Sequence, residues 1–264
     1  MYQLNRNEHY LQHFLSKRLS KILIPFLGLS VLTLFIRLFV FHEEITLQYF
    51  IDLFAKGSTV IYNAWFVHII ILFYVYFYVS FLLFAKKRLK AILMVFALSF
   101  VYMCGAIYLQ YGFWWYNTCF TFTVGLFWAN YEQEIELVIE KYFYRMVFLF
   151  TGLLFVSHNY SIILSVLHIE HPYVWALAAN VDNIIFLLWF LLIVRKFEFA
   201  HHKGLAFLGG ISFEIYMIHG IVMALTSTYF TSSRVNDLLY TLFIVVTSIS
   251  CSYGYQKIIR YLKW

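Results

Sequence analysis

The sequence predicts an all-α fold: a polytopic membrane helix bundle of about eight transmembrane helices, with both termini cytoplasmic. Three observations carry that prediction. Of the 264 residues, 63% are hydrophobic and 12% are charged, and the mean hydropathy is +0.77, whereas soluble domains carry about 25% charged residues. Apolar runs recur at the length of ~20 residues that a membrane helix needs. With only two prolines and eleven glycines, such runs are long helices, not the short alternating strands of a barrel. Finally, Lys and Arg fall on alternate connections between the runs.

Taken in order, the chain opens with a polar, basic stretch, Met1–Lys21. It reads as an amphipathic cytoplasmic segment. Tyr10, Phe14 and Leu15 lie on the membrane interface, and Lys17, Arg18 and Lys21 face lipid headgroups or a ligand. The spans follow at 22–41, 63–84, 91–109, 113–130, 146–167, 174–194, 211–230 and 238–256. The first is too long for the apolar region of a signal peptide. The fourth is short and polar, reading WWYNTCFTFT. No repeat, linker or low-complexity stretch divides the chain, so 1–264 reads as one domain. Cys104, Cys119 and Cys251 are scattered and odd in number, with neither a disulfide framework nor a metal spacing.

Sixteen of the nineteen Lys and Arg residues lie at the N-terminus (Arg6, Lys17, Arg18, Lys21), in the connections at Lys86–Lys90, Lys141–Arg145 and Arg195–Lys203, and at the C-terminus (Lys257, Arg260, Lys263). The alternate connections hold Lys56 and Arg234, and Arg37 sits near the outer end of the first span. Positive charge marks cytoplasmic loops, so Tyr111 and Pro172 face outward. The net charge of +6 is thereby explained by topology, with membrane lipids and no nucleic acid as partners.

Against this background the polar groups at membrane depth stand out, because an ionisable side chain there costs about 2.5–3.5 kcal/mol or more. The seventh span opens with ISFEIYMIHG, and Ser212, Tyr216 and His219 share one helical face at i, i+4 and i+7. Glu214 points elsewhere. At 1.5 Å per residue it lies about 5 Å into the span and His219 about 12 Å. Span five carries Ser157, His158, Asn159 and Ser161, and span six Asn180, Asp182 and Asn183. These two sets line a polar cavity or hydrogen-bond helix to helix. Trp65, Trp114 and Trp115 read as interfacial belt aromatics. His68 follows Trp65 below the outer surface, and His201 and His202 read as solvated. No phosphate loop, zinc spacing or nucleophile elbow is present. A transporter or flippase lined by His158, Asp182 and His219 remains an alternative, though no inverted repeat of broken helices supports it.

Four stretches carry a resemblance: FLSKRLSKILIPF (Phe14–Phe26), NAWFVHIIILFYVYF (Asn63–Phe77), WWYNTCFTFTVGLFWANY (Trp114–Tyr131) and GGISFEIYMIHG (Gly209–Gly220). In this order they resemble the third helix start, the Trp-aromatic span, the Phe-x-x-Gly span and the late Ser-x-x-Ile-Tyr-x-x-His span of the acyltransferase type 3 family of integral-membrane O-acyltransferases. The resemblance implies transfer of an acyl group, commonly acetyl, from acyl-coenzyme A to a hydroxyl of an envelope polysaccharide or lipid-linked sugar. Acyl-CoA is then a donor substrate, with no bound cofactor and no metal.

The family's Arg-x-x-Arg, which approaches the coenzyme A phosphates, falls on Arg18 and Lys21. Lys at the second position keeps the charge and lacks the planar two-pronged contact. His219, Glu214 and Tyr216 become supporting site candidates, and Trp65, His158 and Asp182 candidates for a substrate cavity. The family's catalytic His belongs to a helix two before the Arg-x-x-Arg and has no counterpart here. The resemblance therefore implies an N-terminally incomplete domain that is inactive as it stands; a catalytically dead membrane remnant is the further alternative.

Overall fold

The computed structural model describes residues 8–55, 58–61, 64–84, 87–197, 202–227 and 234–261. Arg6, Lys56, Asn63, Lys86, His201, Phe230 and Lys263 lie outside the described residues, as do the side chains of Tyr10 and Arg234. The helices are α1 (Glu8–Phe39), α2 (Leu47–Ala55), α3 (Trp65–Leu83), α4 (Arg88–Tyr108), α5 (Thr121–Asn130), α6 (Glu132–His158), α7 (Tyr160–Val166), α8 (Pro172–Lys196), α9 (Lys203–Gly210), α10 (Ser212–Thr226) and α11 (Arg234–Tyr261), with a 3-10 turn at Phe113–Trp115. Among the described residues there is no strand.

Among the described residues, five helices are long and apolar enough to cross a membrane: α1, α3, α4, α8 and α11. Two bent pairs, α6 with α7 at 50° and α9 with α10 at 66°, raise the number to seven when each is one span. The expected span at 113–130 takes a different form. Its polar half is a 3-10 turn and further turns, and only α5 is helical. Ten residues of helix reach ~15 Å, short of the ~30 Å hydrocarbon core.

Two boundaries also differ from expectation. The basic segment is not a separate interfacial piece, because α1 is continuous from Glu8 to Phe39. Phe14 is buried against Tyr74 and Phe77 at ring separations of 5.7 and 4.6 Å, and Leu15 packs on the same cluster. Both have aromatic partners to bury against, which the interface does not offer. Lys141 and Arg145, expected in a loop, lie on α6 on either side of a break at Tyr142 (φ −124°, ψ 18°).

The chain divides into two compact units, with two of the three divisions falling inside α1 and α3 and the third between Ala200 and His201. The first holds residues 1–17 and 69–200. Its core is aromatic: Phe77 and Phe81 pack with Phe14, Leu11, Ala91 and Ile92, and Phe120 stacks on Phe96 at 4.7 Å. Here Asn180, with no exposed surface, acts on the turn before α5. Its Oδ1 accepts from the Phe120 amide (3.2 Å) and the Cys119 thiol (3.5 Å), and its Nδ2 donates to the carbonyls of Tyr116 (2.8 Å) and Ala176 (2.9 Å). Asn183 donates to the Asn117 carbonyl at 3.0 Å. Non-helical backbone in a membrane protein persists where protein groups satisfy it, and these two side chains of α8 supply that need. The free cysteines include Cys119, which is thus structural.

The second unit holds residues 18–68 and 201–264. Its centre is an antiparallel pair, α10 and α11. The Gln256 side chain donates to the Gly210 carbonyl at one end (2.7 Å), and Thr226 and Tyr240 meet at the other (3.4 Å). Met217, Ile218, Gly220, Ile221 and Val222 of α10 are buried, as are Ile244, Ser248 and Ser252 of α11. Small residues on both helices permit close approach.

Candidate functional site

The candidate site is built in the second unit, on α1, the first turn of α3, and the α10–α11 pair. Pro25 lies inside α1. It removes the amide that the Lys21 carbonyl would otherwise use. At the same level the Tyr255 hydroxyl donates to the Pro25 carbonyl at 2.9 Å, joining α11 to α1. Gly28, one turn on, makes room for this: a Cβ there would collide with the Tyr255 hydroxyl. Proline, glycine and tyrosine together form a lock between two helices far apart in sequence.

Next to the lock is a layer of aromatic and ionisable side chains. Phe26 meets the His68 ring edge-on at 5.9 Å. Phe66 meets Tyr216 edge-on at 5.5 Å, and the Tyr216 and His219 rings lie 5.7 Å apart. Trp65 is half-buried beside Phe66, with ring centroids 6.3 Å apart. His219 Nδ1 is 3.2 Å from the Ile215 carbonyl. A carbonyl only accepts, so Nδ1 is the donor in this contact. Ser212, expected on the same face, is exposed and donates to the Gly209 carbonyl at 3.0 Å.

Glu214 occupies another face of α10 and is 8% exposed. Five residues separate it from His219, so the two side chains leave α10 in different directions. Arg18, half-buried, and Lys21, exposed, precede Pro25 by about 10 and 6 Å of helix. Helical spacing of i and i+3 puts both cations on one side of α1.

His158 and Asp182 belong to the first unit. Asp182 accepts from the Ser157 hydroxyl at 2.7 Å and faces His158 Nδ1 at 3.3 Å, where α6 breaks before α7. The His158 side chain is 79% exposed, that of Asp182 14%. A carboxylate on Nδ1 orients the ring and leaves Nε2 as its outward nitrogen. Asn180 and Asn183, grouped with Asp182 as cavity candidates in the sequence, instead hold backbone. Among the described residues no cluster of three or more His, Cys, Asp or Glu side chains could hold a metal ion.

Compared with known families, residues 1–256 match the model described as Acyltransferase domain, Acyl_transf_3. This chain belongs to the acyltransferase type 3 family. The match spans all but the last eight residues, and with the apolar helices above it makes the protein a multi-pass membrane acyltransferase domain. No curated protein and no solved structure matched the chain.

Sequence reasoning had named Arg18, Lys21, Trp65, Glu214, Tyr216 and His219. It missed the lock of Pro25, Gly28 and Tyr255. A proline and a glycine three residues apart inside one apolar run were the available signal; the partner tyrosine 230 residues away had none.

Proposed function

We propose that this acyltransferase moves an acyl group, acetyl foremost, from coenzyme A to a hydroxyl of an envelope polysaccharide or its lipid-linked precursor. The family match over residues 1–256 carries the reading and favours it over a transporter. In the reaction the thioester C–S bond breaks, a C–O ester bond forms, and the hydroxyl proton ends on the coenzyme A thiol. The donor's phosphates dock on Arg18 and Lys21 at the cytoplasmic end of α1, where fixed cations make charge-assisted bonds to phosphate oxygens. His219 is a positioning residue, its ring set by the Ile215 carbonyl and Tyr216. Glu214, buried on α10, anchors the cytoplasmic end of that helix, while Tyr255 joins α11 to α1. Trp65 in the second unit, and separately His158 and Asp182 in the first, are the candidates for recognition of the acceptor.

Equilibrium binding of coenzyme A by the protein in lipid nanodiscs tests the donor assignment. Each hydrogen bond to a charged group contributes about 1.5–3 kcal/mol, so Arg18→Ala combined with Lys21→Ala should weaken binding at least about a hundredfold. Lys21→Arg, which restores the two-pronged donor, should tighten it. Dephospho-coenzyme A should bind the wild-type protein less well. Equal binding by wild type and the double variant would overturn the assignment.

A further inference from the structure

The short helix α2 was not expected from the sequence, and the proposed function leaves it unused. Its nine residues divide their described side chains into three arcs at 100° per residue. Tyr49 and Leu53 are half-buried and face the protein. Gln48 and Asp52 are exposed and bonded to each other at 2.9 Å. Leu47, Phe50 and Ile51 form the third arc and are 77%, 40% and 51% exposed. A helix in water has two kinds of neighbour, the protein and the solvent. Three arcs, one apolar and exposed, call for a third.

The position of α2 identifies that third neighbour. Arg37, in the last turn of α1, binds Glu43 at 3.0 Å and lies 5.9 Å over the Tyr49 ring. Burial raises the Tyr49 phenol above its ordinary range, with Arg37 opposing and Glu43 adding to the shift. This cluster pins α2 beside the end of a membrane span. The span reaches that end with exposed Phe35 and Phe39, and exposed Val40 and Phe41 follow it. The apolar arc of α2 therefore continues an apolar surface that already faces lipid. Amphipathic helices of this kind lie in the membrane interface with the apolar face about 5–10 Å into the headgroup–acyl boundary.

We infer that α2 is an interfacial helix that inserts Leu47, Phe50 and Ile51 among the acyl chains of the leaflet at the C-terminal end of α1, with Gln48 and Asp52 in water. In the orientation proposed above this is the outer leaflet. Arg37 is then the hinge pin of the arrangement: it holds the helix at the boundary through Glu43 and Tyr49.

Nitroxide accessibility in the full chain tests this. Single cysteines at Leu47→Cys, Phe50→Cys, Ile51→Cys, Gln48→Cys and Asp52→Cys are introduced after Cys104→Ala, Cys119→Ser and Cys251→Ala, and the spin-labelled proteins are reconstituted in phosphatidylethanolamine–phosphatidylglycerol vesicles. The ratio of dioxygen to nickel-chelate accessibility should be high at positions 47, 50 and 51 and low at 48 and 52. The three apolar positions report independently, so a variant that fails to fold leaves two others to decide. A nickel-accessible ratio at all five positions would place the arc in water and overturn the proposal. Spin–spin broadening at 47 and 51 would overturn it in favour of contact with a second copy of the chain.

Discussion

At the level of single residues, the structure assigns weight to side chains that do no chemistry. Asn180 satisfies the turn before α5 with both ends of its amide. Asn180→Leu leaves a buried amide and a carbonyl without partners, each costing about 1–3 kcal/mol. It should lower the thermal unfolding midpoint in detergent well below wild type, and a midpoint within error of wild type would refute the role. The lock makes a sharper prediction. Gly28→Ala overpacks Tyr255, at a cost of about 1–3 kcal/mol, whereas Tyr255→Phe loses one hydrogen bond of about 1 kcal/mol. Removing the hydroxyl also removes the atom that the new methyl strikes. The double variant should therefore be less destabilised than the sum of the single ones, and additivity in unfolding measurements would show no such contact. At His219, His219→Ala should reduce turnover about 10²-fold, as a ~1 Å misplacement does, with little change in KM for the donor. Normal kinetics would reduce His219 to a packing residue. The polarity and spacing of Ser212, Tyr216 and His219 were legible in the sequence. What Asn180 holds was not, because its partners lie some 60 residues away.

At the level of elements, hydropathy located the long spans, and it failed where the partner of a segment is distant in sequence. The stretch 113–130 has the apolar length of a short span, yet its first half is a turn held by α8. In α2 only nine residues form the element, too few for a span, and its surroundings come from Arg37 and Glu43 outside it. The break at Tyr142 in α6 has no proline or glycine to announce it. Helix ends show a further regularity. α4 closes with Gln110 at φ 57°, where the Tyr111 amide reaches the Ala106 carbonyl (2.9 Å) and the Gln110 amide the Ile107 carbonyl (3.0 Å). α7 closes the same way, with His168 at φ 54°. Both are Schellman ends, which favour glycine at the left-handed position. Gln110→Gly and His168→Gly should each stabilise the protein by up to about 1 kcal/mol, seen as a raised unfolding midpoint. A lowered midpoint would mean that these side chains, not the backbone turn, hold the ends.

At the level of the whole molecule, the segregation of Lys and Arg and the family match point to one arrangement. In the proposed arrangement the cationic start of α1 faces the compartment that contains acyl-coenzyme A, and α2 rests on the opposite leaflet. The fold class was legible because hydrocarbon imposes helices and a minimum length on every span. The candidate site was legible only in part, since Arg18 and Lys21 enter through their match to the family's Arg-x-x-Arg while the Pro25–Tyr255 lock is a long-range contact. The donor site and the orientation can be tested together. Lys17, exposed beside Arg18, is replaced by cysteine in the background described for α2, and labelling by a membrane-impermeant maleimide is followed in inverted and right-side-out vesicles with and without acetyl-coenzyme A. The account predicts rapid labelling of Lys17→Cys in inverted vesicles only, slowed by acetyl-coenzyme A, and restored by adding Arg18→Ala and Lys21→Ala. Labelling from the right-side-out face, or labelling in inverted vesicles that acetyl-coenzyme A leaves unchanged, would contradict it.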